Sequence, residues 1–500
     1  MDYRGQRRLV IEAAKGITCA AQKKTENLSE AFENLFAGTR LAFSQERTFL
    51  RGKNLAISAL VGLGRRTVSG MLCTSAQQFQ DWSAAYRLFT HERFDGDSLF
   101  EPVMRTTIEA LAPEEPLVML MDDTLVRKRG RKVYGTAWKR DPLGPPFQTN
   151  FVWGQRFLQL SAALPDSNCD GRARAVPINF IHAPSVKKPK RNASPEDWKE
   201  YRQMQNETKI STVSVHALHK VRSQLDRQGE ERHIICAVDG GFTNQTVFRN
   251  IPDNMTLIGR IRKDAKLYSV PDNDSLARRG RPRWYGSGLP TPESIRQDES
   301  IPWTQVEAYA AGTRHLFDVK CMPAVRWLGA GDRTAQVLII RPLAYRPRQG
   351  SRLLYREPAY LICTDPNLGL EQFIQAYLWR WEIEVNFRDE KSLLGVGQAQ
   401  VRTQASVEKV PTLIVAAYAM LLLAGASSSD TSKMLPKPKW QRTQSAGRCT
   451  TQQLISLLRS LLWEKGMMTN LRQFAETRDT TRTPVNFTNS LSSAICYAIK

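Results

Sequence analysis

Two apolar stretches of strand length each run directly into an aspartate. Leu117–Met121 (LVMLM) is followed by Asp122-Asp123-Thr124, and His233–Val238 (HIICAV) is followed by Asp239-Gly240-Gly241. Short unbroken apolar runs bounded by turn residues read as buried strands. In an α/β sheet, ligands gather at the carboxyl ends of the strands. Two carboxylates placed there can meet although they lie far apart along the chain. A single aspartate after a strand is an ordinary turn residue, so the pair gains meaning only with a third element.

That element is the segment QFIQAYLWRWEIEVNFRDEKSLLG, which reads as helical from Leu370 to about Arg388 and contains Tyr377, Arg380, Glu384 and Lys391. At about 100° per residue, these four positions lie at roughly 0°, −60°, −20° and −40° around one straight helix. Arg388 falls at about 20° by the same geometry. Glu382, Asp389 and Glu390 are expected to point away. One carboxylate flanked by Arg, Lys and Tyr suits a site that binds metal and grips phosphate. In that reading Glu384 ligates, while Arg380, Arg388, Lys391 and the Tyr377 hydroxyl hold phosphate oxygens. The other reading is a solvated helix laced with i,i+4 ion pairs such as Arg380–Glu384.

Charge points to the partner. The chain carries 71 Lys and Arg against 49 Asp and Glu, a net charge of +22, with a pI of about 9.8. Such an excess attracts polyanions and releases their counterions on binding, so nucleic acid is the expected partner. The basic residues are spread along the chain rather than gathered on one amphipathic helix, which argues against a membrane surface. The run Leu413–Ala426 (LIVAAYAMLLLAGA) is short for a bilayer and reads as a buried helix. There are eight cysteines but no CxxC pair, so neither a zinc ribbon nor a disulfide framework is expected. With six histidines, a catalytic metal is expected on carboxylates, which suits magnesium or manganese. No phosphate loop is present, since GAGDRT at 329–334 lacks the required pattern. A nucleotide cofactor is therefore not expected. His216 and His219 lie one turn apart without a third ligand and read as packing or solvated residues. Met1–Gly16 lacks an apolar core for a signal peptide, and the scattered cysteines suit a reduced compartment, so the expected compartment is the cytoplasm.

A chain of 500 residues exceeds one ordinary hydrophobic core, so several domains are expected. Residues 1–112 read as a helical DNA-binding domain. Within it, GLGRRTVSGML resembles a turn entering a basic helix, with Arg65 and Arg66 near its start. This is either a helix-turn-helix reading head or an ordinary bundle corner. Residues 113–261 read as the first part of a catalytic core, with NFVWGQRFLQLSAAL supplying two strands. A basic linker at Lys187–Arg191 then leads into one long polar helix ending near Gln228. Residues 262–365 read as a β-rich insertion, 366–428 as the second part of the core, and 429–500 as a basic C-terminal region with a helix near Gln452–Trp463.

Tyr377, Arg380, Glu384 and Lys391, spaced Y-x2-R-x3-E-x6-K, match the "YREK" signature, and the chain thereby resembles the insertion-sequence-4-like superfamily of DDE transposases. Met121–Thr124 resembles the first acidic motif of that family, and Ala237–Phe242 (AVDGGF) the second. The resemblance covers about residues 115–425. It implies a ribonuclease-H-like α/β core, a five-stranded mixed sheet with flanking helices. Asp122 would lie on its first strand, Asp239 on its fourth and Glu384 on an adjacent helix, together holding two Mg²⁺ or Mn²⁺ ions. The first acid is Asp122 or Asp123. Asp122 is favoured because Thr124 stands two residues after it, as in the family pattern. The implied activity is cleavage at the inverted repeats of an element and strand transfer into target DNA, by cut-and-paste transposition through a hairpin. The implied assembly is a dimer in a synaptic complex on double-stranded DNA. Trp303 and Trp327 lie in the region that supplies a base-stacking aromatic in the family, though each taken singly reads better as a core residue of a β domain. Two further readings stand beside this one: a catalytically silent DNA-binding regulator of transposase descent, and a nuclease of the same fold without strand transfer.

Overall fold

The computed structural model of the chain describes residues 27–141, 144–145, 147–166, 169, 171–271, 283–346, 350–428, 448–476 and 490–496. Helices come first: α1 (Leu28–Ala37), α2 (Glu46–Val61), α3 (Val68–Thr74), α4 (Ser83–Thr90) and α5 (Glu101–Glu109). The start of α1 is set by a reciprocal cap. The Asn27 side chain accepts from the Glu30 amide, and the Glu30 side chain accepts from the Asn27 amide, so two otherwise orphaned donors are satisfied.

Next come β1 (Leu117–Arg127), β2 (Ala137–Arg140), β3 (Phe151–Pro165) and β4 (Ala173–Ala183), then α6 (Pro195–Glu207), α7 (Ile210–Arg227), β5 (Ile234–Val238), α8 (Gln245–Arg249) and β6 (Met255–Arg260). Five strands lie side by side in the order β4-β3-β1-β5-β6. β3 runs antiparallel to both β1 and β4, whereas β1, β5 and β6 are parallel. The apolar runs are unbroken because both faces of these strands are covered. Leu117, Met119 and Met121 enter one hydrophobic cluster, while Val118 and Leu120 enter another. Three expectations are corrected here. β1 does not stop at Met121 but continues to Arg127, because its pairing with β3 outlasts its pairing with β5. The segment expected to give two strands forms the single strand β3. The long polar helix is two helices, α6 and α7.

The region read as a β-rich insertion contains β7 (Leu267–Ser269), β8 (Gly288–Leu289), α9 (Pro292–Gln297), β9 (Thr304–Ala310), β10 (Thr313–Trp327), β11 (Thr334–Ile340), β12 (Ala344–Tyr345), β13 (Leu354–Tyr355) and β14 (Ala359–Cys363). It does not stand apart from the core. β14 pairs antiparallel with β6, with Leu361 opposite Arg260, and β11, β10, β7 and β8 follow in order. One sheet therefore runs from these five strands into the region read as an insertion.

The chain closes with α10 (Leu370–Trp379), α11 (Trp381–Ser392), α12 (Gln404–Ser427), α13 (Thr451–Glu476) and α14 (Ser490–Cys496). α12 is apolar on nearly every side, as its unbroken burial from Val410 to Ala424 shows. A helix of that kind belongs in a core. α1, α2, α4 and α5 pack around α12, which also packs on β4. One cluster therefore runs from Phe32 and Phe36 through Leu421 to Met119. The N-terminal helices share their core with the sheet. Each Leu or Ile fully buried on α12 contributes about 1.5–3 kcal/mol relative to exposure. α12 is long and apolar enough to cross a membrane by length and composition, yet it lies mostly inside the protein.

Candidate active site

Register brings the two aspartates together. Met121 and Val238 form the last parallel pair between β1 and β5, so the next residues, Asp122 and Asp239, emerge on neighbouring strands about 4.8 Å apart. Asp122 remains within β1 opposite Gln159, and only 7% of it is exposed. Asp239 leaves the sheet and organises a turn. Its Oδ1 accepts from the amides of Gly241 (2.8 Å) and Phe242 (3.2 Å), and its carbonyl accepts from the Thr243 hydroxyl at 2.9 Å. Asp123 points to the other face of the strand, as alternation requires. There it receives both Nε (2.6 Å) and Nη2 (2.9 Å) of Arg156. The two candidates for the first acid are thus separated: Asp123 is held in a two-pronged ion pair, and Asp122 faces Asp239.

The helical segment bearing Glu384 is interrupted at one residue. α10 ends at Trp379 and α11 begins at Trp381, with Arg380 at the break. The Arg380 amide donates to the Tyr377 carbonyl and the Ile383 amide to the Arg380 carbonyl, both at 3.2 Å. These three-residue steps tighten the turn locally, while Arg380 itself keeps helical backbone angles (φ −51°, ψ −30°), and Arg380 and Glu384 both act on Asp122. Arg380 reaches across to the sheet. Its Nη1 lies 3.2 Å from Asp122 Oδ2, and its guanidinium carbon lies 5.7 Å from the centre of the Tyr377 ring. Its ion-pair partner is Asp122, across the fold, rather than Glu384 one turn along.

Electrostatics tie these groups into one site. The Asp122 carboxyl is pushed up to about 8, first by burial, then by the charge of Asp239; Arg380 pulls it down and Glu384 pushes it up again. A buried carboxylate between two others carries negative charge that one guanidinium does not offset. All of these donors are hard oxygens, the set that suits a divalent cation. Among the described residues, no three acidic, imidazole or thiol side chains converge into a closed ligand shell. Glu384, exposed on α11, therefore adds its charge to the cluster without completing such a shell.

The remaining predicted residues fall into two groups. Lys391 lies near Glu384 and Glu390. Crowding by protein lowers its pKa, partly offset by those two carboxylates. Arg388 is exposed and paired with Asp389, its Nη2 at 3.0 Å. These two cations stay on the side of α11 that carries Glu384. The other predicted residues are engaged elsewhere. Arg66 is buried, and its guanidinium donates to the carbonyls of Ala59 (2.9 Å), Leu393 (3.0 Å) and Gly64. It clamps the α2–α3 corner to the end of α11 and is not a DNA-facing residue of a reading helix. Arg65 beside it is half-buried. α3 is only seven residues long, with Val68, Met71 and Leu72 buried, as a bundle corner would be. Trp327 packs edge-on to Phe248 at 5.4 Å, and a side chain added at Gly329 would overlap its ring. Trp303 covers the buried Lys320, whose ammonium lies 4.5 Å from the ring centre, with Arg341 at 5.6 Å. Both tryptophans are half-buried in these contacts.

Sequence reasoning missed the groups beneath α11. Asp389 and Glu390 do point away from Glu384, but into the protein, where both are buried. Asn386 donates to the Ala175 carbonyl (3.1 Å) and the Tyr418 hydroxyl (3.2 Å), and Ser161 donates to Asn386 Oδ1 at 3.3 Å. The available signal was Asn and Ser set among apolar neighbours.

The chain matches the family described as DDE superfamily endonuclease over residues 40–316, more than half its length. The matched region includes Asp122 and Asp239 and stops before the α10–α11 segment. No curated protein matches the chain. Members of the family act on DNA, in general with divalent metal ions. Two carboxylates brought together where the parallel pairing of β1 and β5 ends, a third on the covering helix, and a family match that takes in β1 to β9 agree: the chain belongs to the DDE superfamily endonucleases.

Proposed function

We propose that this endonuclease is a cut-and-paste DNA transposase of the insertion-sequence-4-like group, with Asp122, Asp239 and Glu384 as its acidic triad on a ribonuclease-H-like core. The observation that carries the proposal is the pairing register that sets Asp122 beside Asp239, with Glu384 close enough to perturb the Asp122 carboxyl. The strand order β4-β3-β1-β5-β6 with mixed directions supports the core assignment. The Tyr377, Arg380, Glu384 and Lys391 spacing supports the subgroup.

The three carboxylates would hold Mg²⁺ or Mn²⁺, which lowers the pKa of an attacking water or 3′-hydroxyl and stabilises the departing oxygen. Everything else falls to the protein. Arg388 and Lys391 present positive charge on the Glu384 side of α11 and grip phosphate oxygens. Arg380, fixed by Asp122 and lying over Tyr377, orients that corner of the site. In the first step a water oxygen bonds to phosphorus and the 3′-oxygen leaves. In the second, that 3′-hydroxyl attacks the opposite strand or target DNA and displaces another 3′-oxygen. No protein nucleophile is required. Two element ends are handled by a dimer in one synaptic complex, in the cytoplasm of a bacterial cell.

The test is cleavage of DNA carrying the element ends, in Mg²⁺, by the wild type and by Glu384→Ala, with DNA binding measured alongside. Loss of cleavage by about 10²-fold or more with binding retained supports the reading. Equal cleavage by both removes Glu384 from the mechanism. Cleaved products without joined products identify a nuclease lacking strand transfer. Binding without cleavage by either protein identifies a silent regulator.

A further inference from the structure

Beyond Asp122, β1 continues into a three-stranded ribbon with β3 and β2 that no part of the proposed chemistry uses. Residues 127–140 contain seven Lys and Arg and no Asp or Glu. Along the ribbon Trp138 stands opposite Trp153, and Arg140 opposite Phe151. Cross-strand partners share a face, so three aromatic rings and one guanidinium lie together. Trp138 is 59% exposed and Phe151 60%. The two indoles meet edge-on at 5.6 Å. Arg129, Arg131, Lys132 and Arg140 are exposed, and none forms an ion pair among the described residues.

The two-residue period of β3 puts Trp153 on the same face as Gln159, the cross-strand partner of Asp122. Six residues of strand span roughly 20 Å, about the length of six stacked nucleotides. The ribbon is also held firmly. Lys128 turns inward, its ammonium donating to the carbonyls of Gly397 (2.9 Å) and Ala399 (3.3 Å). The Tyr134 amide donates to the Arg402 carbonyl at 3.0 Å, and Trp153 Nε1 to the Gly130 carbonyl at 3.1 Å. The Lys128 and Tyr134 bonds fasten the ribbon to the loop that follows α11, the helix bearing Glu384, and the Trp153 bond ties β3 to the β1–β2 connection.

We infer that the β2–β3 ribbon is a docking surface for the DNA strand flanking the reacting phosphate, with Trp138 stacking on an unpaired base and Arg129 and Arg140 contacting the neighbouring phosphates. This rests on the proposed action on DNA and adds to it a site for unpaired nucleotides. The nearby acids, Asp141 and Asp123, are each already paired with an arginine, Arg127 and Arg156, so exposed aromatics beside Arg129, Arg131, Lys132 and Arg140 suit a polyanion that carries flat rings. A neutral protein partner would leave the positive charges of Arg129, Arg131, Lys132 and Arg140 facing its surface.

The test uses the full chain and fluorescence anisotropy with a mixed-sequence single strand and the corresponding duplex, so that no cleavage is needed. Trp138→Ala is expected to weaken single-strand binding about ten-fold and duplex binding by less than about two-fold. Trp138→Phe, which keeps a stacking face, is expected to restore most of the affinity. Arg140→Gln should lower the salt slope on the single strand by about 0.7. Single-strand binding by Trp138→Ala at wild-type strength, with duplex binding intact, overturns the ribbon assignment alone. Failure of the wild type to bind either DNA overturns both this assignment and the proposed function. A change in oligomeric mass on light scattering, with DNA affinity unchanged, makes the ribbon a contact between copies of the chain and likewise overturns the assignment.

Discussion

Glu390→Gln tests how α11 is seated under the site. Glu390 is 1% exposed, and burial pushes its carboxyl from 4.5 up to about 8, against the opposing pull of Gln159 and Lys391. Its Oε1 and that of Gln159 both lack a hydrogen-bond partner among the described residues, so a neutral carboxyl supplies a donor that an ionised one cannot. Below about pH 4.5 the group is protonated in the folded and unfolded chains alike and contributes no pH dependence. Between about 4.5 and 8 the folded chain keeps a proton that the unfolded chain has released, and stability falls as pH rises. At about 1.4 kcal/mol per unit, the loss reaches about 5 kcal/mol once pH exceeds 8. Glutamine keeps the shape and never ionises. In urea unfolding from about pH 5 to 9 without divalent metal, the variant should match the wild type near the acid end. It should exceed the wild type by several kcal/mol at the alkaline end. Asp122 titrates in the same window in both proteins, so it cancels in the difference. A stability difference that stays constant within about 0.5 kcal/mol across this range would refute the reasoning.

Arg66→Ala leaves the carbonyls of Ala59, Gly64 and Leu393 without their donor and should cost about 3–5 kcal/mol in unfolding free energy. The salt dependence of DNA binding should not move; a reduced slope would return Arg66 to the DNA surface. Trp327→Ala empties the space between Phe248 and Gly329 and should also cost about 3–5 kcal/mol, with DNA affinity at the wild-type value. Mg²⁺ should stabilise the wild type, by about 2.7 kcal/mol at a hundred-fold excess over its dissociation constant. Asp239→Asn should lose most of that gain, and equal stabilisation of both proteins would place the ion elsewhere.

Local pattern was enough for much of the architecture. The strands at 117 and 234, the buried helix around Leu413–Ala426, the β-rich stretch of 262–365 and the helical segment bearing Glu384 all show in short windows of sequence. Each is a matter of which residues prefer water and at what period they recur. The unbroken apolar runs of β1 and β5 carried further information, because only a strand covered on both faces tolerates them.

What local pattern could not reach was everything that depends on a partner distant in sequence. Asp122 and Asp123 are neighbours of identical chemistry; β1 pairs with β3 and β5 so that one meets Arg156 and the other meets Asp239. Arg380 looked like one cation on a straight helical stripe. Its partner is Asp122 on β1 rather than Glu384 one turn along, and rotation per residue cannot anticipate a contact across the fold. Arg66, Trp303 and Trp327 have side chains that suit DNA as well as they suit a core. Their roles followed from whether carbonyls, a lysine or a phenylalanine met them first. Sequence by itself determined where the main strands and helices lie, that an acid follows each of two apolar runs, and that the chain carries a large positive charge, because these follow from composition and short-range periodicity. Tertiary structure alone decided which acid faces which, which cations remain exposed and where Glu390 is buried, because burial, register and charge coupling are properties of pairs that only folding brings together.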